Sequence, residues 1–334
     1  MNIDFEHRMS AHCENGVTSN LLRFNGVDLS EPMIFGLGSG LAFVHVPFMK
    51  FNGAPITSFR PLPGSIFNKV NKALGTKIIR KSFPNNPQKA MLELDKTIER
   101  GIPVGLLVGV YNLSYFPSAM RFHFNAHNIV VFKKENHKYL VSDPVMEQLE
   151  WLSEEDMVKV RYAKGTYKPK GRMYYIENVN TDYNLQKAIK KSIRFTSMMM
   201  IKAPGPIIGV SAIKLLSRNI KKWGEKYDSR KASRYLGSVI RMQEEIGTGG
   251  AGFRFLYAAF LQEAGRTLKN DNLLIASEKM TVIGDLWRTF AIDSGRVCKL
   301  RSRDNQTYDT VADQLLVIAK LEKELFTDLS KIKI

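Results

Sequence analysis

The sequence predicts an α+β fold built on an antiparallel sheet for its first half and a mainly α-helical second half. Three observations carry this. Short β-branched and aromatic runs bounded by turn residues recur between residues 41 and 177, interleaved with helical stretches. From about Thr181 strand signals disappear, and apolar residues recur at spacings of three and four. A length of 334 residues suits about two domains, which the change of pattern places at 1–180 and 181–334.

In chain order, a helix runs from Val17 to Phe24 and stops at Asn25-Gly26. Ser30 is placed to cap a short turn leading to Phe35. Residues 41–48 and 103–110 read as strands and 65–75 as a helix. A helix over 87–100 opens after Asn85-Asn86-Pro87 and ends at Gly101. Two β-rich runs, 126–132 and 139–143, flank the polar stretch Lys133 to Lys138, which predicts a β-hairpin with a connection longer than two residues. Ser153-Glu154-Glu155-Asp156 reads as a helix start, and 172–177 as another strand. Helices follow near 183–201, 207–225, 229–246, 251–269, 271–293 and 307–331. The last carries Val311, Leu315, Ile318, Leu321 and Leu325 on one face.

Cys13 is one of two cysteines and stands just before the first helix. A thiol there feels the positive end of the helix dipole, which favours the nucleophilic thiolate. A base and an orienting acid are offered by the hairpin. If it is centred on Glu135, His127 and Asp143 lie opposite each other on one face, with Cβ atoms roughly 5 Å apart. That pairing requires the absence of a bulge, since a slip of one residue would turn one of them away. Against this stand blander roles: a small buried cysteine, a strand histidine and a strand-ending Asp-Pro turn. His137 falls in the turn, and His123, four residues before His127, is placed to line the same cleft.

Two glycine-rich segments, Gly36-Leu37-Gly38-Ser39-Gly40 and Gly247-Thr248-Gly249-Gly250, lack the spacing of nucleotide-binding loops. Tight turns or close backbone packing account for both. For the second an anion site is the alternative, with Gly249 and Gly250 opening a helix and Arg254 one turn in. Glu31, after Ser30, has three open readings: a helix cap, a buttress of the cleft, or a binder of an acceptor amine.

The chain carries a formal net charge of +17. Residues 1–181 hold 22 Lys and Arg against 16 Asp and Glu, and residues 182–334 hold 27 against 16. Such a field attracts acidic partners. The sequence has no zinc-ligand spacing, no RNA-binding sheet signature and no basic low-complexity tail, which argues against nucleic acid and gives no candidate metal site. Two cysteines make no disulfide framework. The acidic start is not a signal peptide, and the most apolar stretch, Phe195 to Leu216, is interrupted by Lys202, Pro204, Pro206 and Lys214. A cytoplasmic protein without a membrane span is expected; its oligomeric state is left open. Met198-Met199-Met200 through Leu216 reads as a helix core or as the lining of a channel for an apolar chain.

The pattern His12-Cys13, then Ser30-Glu31, then Phe35-Gly36-Leu37-Gly38-Ser39-Gly40, with Gly247-Thr248-Gly249-Gly250-Ala251-Gly252-Phe253-Arg254 in the second half, resembles the butirosin biosynthesis protein H family. That family is a branch of the papain-like cysteine fold, and the resemblance spans nearly the whole chain. It implies a papain-like catalytic domain over 1–180 and a helical domain over 181–334 that binds acceptor or partner. It also implies an acyltransferase of secondary-metabolite biosynthesis. An acyl group would pass from an acidic acyl carrier protein, through a Cys13 thioester, to a small-molecule amine or hydroxyl. Phosphopantetheine would enter only as part of the carrier protein, with no other cofactor. The resemblance makes Cys13 the nucleophile, His127 the base and Asp143 the orienting acid. Papain-like enzymes place a glutamine before the cysteine to bind the oxyanion. None precedes Cys13, so His7 becomes the substitute, beside the backbone N–H of Cys13. Arg254, Gly249 and Gly250 become candidates for the phosphate of the carrier arm. The same triad would serve a hydrolase, either peptidase or thioesterase. A basic binding protein with an incidental Cys13 is the non-enzymatic alternative.

Overall fold

The computed structural model describes residues 3–180, 182–246, 248–300 and 306–332. Its elements are α1 (Cys13–Phe24), α2 (Glu31–Leu37), β1 (Val44–Phe51), β2 (Ala54–Ser58), α3 (Ser65–Leu74), β3 (Lys77–Lys81), α4 (Pro87–Glu99) and β4 (Val104–Val108). There follow β5 (His127–Glu135), β6 (Lys138–Ser142), β7 (Glu150–Ser153), α5 (Glu154–Arg161) and β8 (Met173–Asn178). The remainder is helical: α6 (Leu185–Lys202), α7 (Gly209–Lys226), α8 (Ser229–Glu244), α9 (Arg254–Leu268), α10 (Asp271–Cys298) and α11 (Tyr308–Lys331). The α+β first half and helical second half agree with the fold class expected from sequence.

The chain divides into two compact units, Met1–Ile34 with Phe67–Tyr183, and Phe35–Ile66 with Asn184–Ile334. The expected division at 180/181 falls close to the last break, between Tyr183 and Asn184, although Thr181 itself lies outside the described residues. Residues 35–66, expected in the first domain, group with the helices instead. The reason is local packing: Phe35 stacks on Phe253 with ring centroids 5.1 Å apart, and Phe43 and Phe59 both meet Trp287.

In the first unit a six-stranded sheet has the order β3-β8-β4-β5-β6-β7, with every pair antiparallel. β4, all apolar apart from Gly105, is buried along its whole length. Leu94 and Ile98 of α4 and Met157 and Val160 of α5 close a core against Val104, Leu106, Val108, Ile129, Val131 and Val141. Ser153 caps α5 by accepting from Asp156 N–H, and Asn86 caps α4 by accepting from Lys89 N–H, as their sequence signals predict.

The hairpin differs from expectation. Glu135 pairs with Lys138, so the connection is only Asn136-His137, both at positive φ (46° and 60°). That is the type I′ geometry favoured by the right-handed twist of hairpins, and asparagine accepts it more readily than most residues. Lys133 faces Leu140 but Val131 faces Val141, so Phe132 is an extra residue on β5. The register beyond, Val130 with Ser142, sets Asp143 two residues short of the position opposite His127. The two are therefore diagonal rather than opposed, yet on one face. Without the bulge they would face opposite sides of the sheet.

In the second unit β1 and β2 form a two-stranded antiparallel sheet. Val311, Leu315, Ile318 and Leu325 of α11 are buried as their spacing predicts, while Leu321 is half-buried. Glu322 takes the interior place, fully buried, where it meets Arg254 and the Trp287 indole. Met200 lies in the core of α6, whereas Phe195 and Met198 are exposed. Among the described residues no helix is long and apolar enough to cross a membrane, and no group of three His, Cys, Asp or Glu side chains is placed to hold a metal ion.

Candidate active site

Cys13 is the first residue of α1, where the unpaired N–H groups of a helix concentrate positive potential. The chain just before it is pinned by Glu31, whose Oε2 accepts from Ala11 N–H at 2.9 Å and Oε1 from His12 N–H at 2.8 Å. Burial raises the Glu31 pKa, and these two backbone donors oppose that rise. Of the readings left open for Glu31, the contacts match the buttress. Glu14, the next residue along α1, is buried and accepts from Phe67 N–H in the first turn of α3.

The other side of the site is the end of the hairpin. His127, 5 % exposed, begins β5, and Asp143, fully buried, follows the last residue of β6. His127 Nε2 lies 2.7 Å from Asp143 Oδ2. Tyr115 donates its hydroxyl to the same oxygen at 2.9 Å, and Val145 N–H donates to Oδ1 at 3.2 Å. Cys13 makes a side-chain hydrogen bond with the same imidazole. Burial opposes a charge on His127, but the Asp143 carboxylate and the Cys13 sulfur outweigh it and raise its pKa to about 10. The sulfur, the imidazole and the carboxylate thus form one continuous chain of contacts.

Close packing holds the two halves of the site together. Ser10 N–H donates to Pro144 O at 2.8 Å. Gly16, one turn into α1, faces Pro144: a Cβ there would stand 2.8 Å from Pro144 Cγ and 2.8 Å from Ser10 Cβ. Glycine at this position lets the helix that carries Cys13 approach the turn that carries Asp143.

His7 does not serve as an oxyanion donor. Its Nε2 lies 3.0 Å from Met146 O and its Nδ1 2.7 Å from Ser142 Oγ. The carbonyl can only accept, so the Nε2 proton is committed there, and the histidine braces the turn around Asp143. Arg254 is likewise unavailable to an anion. It is fully buried, with Nε 2.9 Å from Glu322 Oε1, Nη2 3.2 Å from Oε2 and Nη1 2.8 Å from Gly252 O. Nor is the loop before it a phosphate cradle. Gly249, Gly250, Ala251, Gly252 and Phe253 all have positive φ, Gly250 N–H donates to Thr248 Oγ1, and Ala251 N–H donates to Glu244 Oε1. A Cβ at Gly252 would stand 2.7 Å from Phe59 Cγ. The glycines there satisfy backbone shape and close packing; Gly247 lies outside the described residues. His123 stacks on Tyr111 at 4.2 Å, and His137 is exposed in the hairpin turn.

Asn128, Tyr174 and Tyr115 carry no sequence motif that marks them. Asn128 Nδ2 is 3.9 Å from Cys13 Sγ, and its Oδ1 accepts from Tyr174 hydroxyl at 2.8 Å. Only the position of Asn128 beside His127 offered a signal. Nothing local connects Tyr115 or Tyr174 to the site.

A helix that begins at a cysteine, packed on an antiparallel sheet that carries a histidine and an aspartate, is the papain-like arrangement. The family comparison agrees: the model of the butirosin biosynthesis protein H N-terminal domain matches residues 12–144. The chain belongs to the butirosin biosynthesis protein H-like family. Residues 155–329, just over half of the chain, match a domain of unknown function, DUF4872. No curated protein matches the sequence significantly. Among solved structures, the chain is similar to one described as a C39-like peptidase from Bacillus anthracis, at 14 % identity and a TM-score of 0.36, over 54 % of this chain and 96 % of that one. Membership in the family and the papain-like first unit make this a papain-like cysteine enzyme of a biosynthetic family.

Proposed function

We propose that this butirosin biosynthesis protein H-like enzyme is an acyltransferase in secondary-metabolite biosynthesis. An acyl group moves from an acyl carrier protein thioester, through an acyl-Cys13 intermediate, to a small-molecule amine or hydroxyl. The observation that carries the reading is His127, hydrogen-bonded through Nε2 to Asp143 and sharing a side-chain hydrogen bond with Cys13. A raised His127 pKa keeps an imidazolium beside the sulfur at neutral pH, which favours the thiolate. Cys13 attacks the thioester carbonyl, the new C–S bond forming as the π pair moves to oxygen. Collapse expels the carrier-arm thiolate, which takes the His127 proton. Neutral His127 then accepts a proton from the acceptor as it attacks, and Cys13 leaves as thiolate. Asp143 orients the ring throughout. Phosphopantetheine enters only as the carrier arm.

The biosynthetic family name favours transfer over hydrolysis. A net charge of +17 suits an acidic carrier protein, which it would steer by long-range attraction. Two cysteines without a disulfide framework fit a reducing compartment, and we place the reaction in the cytoplasm.

The test is intact-mass analysis after incubation with an acyl-loaded carrier protein. One acyl adduct on Cys13, absent in Cys13→Ala and discharged to an added amine or alcohol faster than to water, is the expected result. Discharge to water alone would make the enzyme a thioesterase, and an adduct that survives in Cys13→Ala would move the nucleophile elsewhere. Iodoacetamide at neutral pH gives a quicker reading. Burial raises the Cys298 thiol to about 11, so Cys13 should label well ahead of it.

A further inference from the structure

We infer that Asn128 is the side-chain donor of the oxyanion hole, the role for which the chain has no glutamine before Cys13; this rests on acyl transfer through Cys13. Asn128 is 3 % exposed and follows His127 on β5. Neighbouring strand residues point to opposite faces, so Asn128 looks away from the core formed by α4 and α5. Its Nδ2 stands 3.9 Å from Cys13 Sγ, and its other contact, with Ala126 O, is long at 3.4 Å.

The orientation of the amide follows from its other end. Tyr174 donates its hydroxyl to Asn128 Oδ1 at 2.8 Å, so the oxygen is committed to Tyr174 and the NH2 to the sulfur. Tyr174 is itself fixed. Its ring lies over Gly105, where a Cβ would come within 2.6 Å of Tyr174 Cζ, and Phe67 packs against it with centroids 4.5 Å apart. A donor held this way needs no reorganisation when charge develops.

When Cys13 attacks an acyl carbon, the negative charge leaves sulfur and appears on the oxygen of that carbon. An oxyanion donor should lie about 2.7–3.1 Å from that oxygen rather than from the sulfur. At 3.9 Å from Sγ, Nδ2 is near enough to donate to the oxygen of an acyl group whose carbon has bonded to that sulfur, the oxygen lying to one side of the N–S line. The distance is long for a donor whose only task is to hold the resting thiolate.

Two reactions of the same sulfur separate the roles. Acylation by a thioester passes through an oxyanion, whereas alkylation by iodoacetamide does not. With acetyl-N-acetylcysteamine as acyl probe, Asn128→Ala should slow acylation of Cys13 by about 100- to 1,000-fold and leave alkylation at the wild-type rate. Asn128→Leu, close to the same shape without the donor and without an added charge, should behave alike. Tyr174→Phe, which keeps the ring but frees the amide, should lose a smaller part of the acylation rate. Unchanged alkylation also certifies that each variant keeps its fold around Cys13. Equal loss of both reactions, or of neither, would overturn the assignment to Asn128 alone. A wild-type Cys13 that alkylates rapidly but accepts no acyl group would overturn acyl transfer itself, and the oxyanion role with it.

Discussion

Gly16 is the point where packing and chemistry meet, and Gly16→Ala tests both. The added Cβ would stand 2.8 Å from Pro144 Cγ and from Ser10 Cβ, at least 0.6 Å inside the 3.4 Å of ordinary contact. Neither neighbour yields easily: Pro144 is a rigid ring, and Ser10 is tied to its carbonyl by the 2.8 Å hydrogen bond. Overpacking of this kind costs about 1–3 kcal/mol, while alanine is better than glycine in a helix by about 1 kcal/mol. A net loss of up to about 2 kcal/mol is expected by urea unfolding followed by circular dichroism. Relief of the clash pushes the turn bearing Asp143 away from α1. Since displacements near 1 Å cost about 100-fold in well-aligned reactions, acylation of Cys13 should fall by one to two orders of magnitude. Gly237→Ala is the control. Nothing lies within 4 Å of a Cβ there, in the middle of α8, so it should gain up to about 1 kcal/mol and leave the rate unchanged. A Gly16→Ala protein as stable and as reactive as wild type would refute the packing argument.

Three further outcomes follow from the geometry. The folded His127 pKa of about 10 lies above the free value of 6.5, so the stabilisation from its proton is complete below pH 6.5 and disappears as the pH rises through about 10. Asp143→Asn removes the main cause of the rise, and the stability gap between the two proteins should narrow from about pH 6 to about pH 10; a gap constant with pH would contradict this. Glu322→Ala strands the buried Arg254 and should cost about 3–5 kcal/mol in unfolding experiments, whereas replacing both by apolar residues should recover most of that. Glu31→Ala leaves the Ala11 and His12 N–H groups without their carboxylate and should cost about 1–3 kcal/mol, with slower labelling of Cys13.

The helix at Cys13, the strand at His127, the caps at Asn86 and Ser153 and the buried face of α11 were all legible in the sequence, because each depends on neighbours a few residues away. The family resemblance was legible too, through motifs spread over the chain. The hairpin shows where that reading runs out. Its two strands were plain, but the two-residue turn and the bulge at Phe132 were not, since twist and cross-strand packing decide both. The expected face-to-face pairing of His127 with Asp143 was replaced by a diagonal one, and the shared face survives only because the bulge corrects the register. His7 and Arg254 mark the same limit from the other side. Each is a residue type suited to binding an anion, and each spends its donors inside the protein, on Met146 O, Glu322 and Gly252 O. Tyr115, Asn128 and Tyr174 are unremarkable in sequence and reach the site only through folding. Local propensity and periodicity belong to the chain itself. Which donors remain to face a substrate depends on contacts between residues far apart in sequence, and only the tertiary structure decides those.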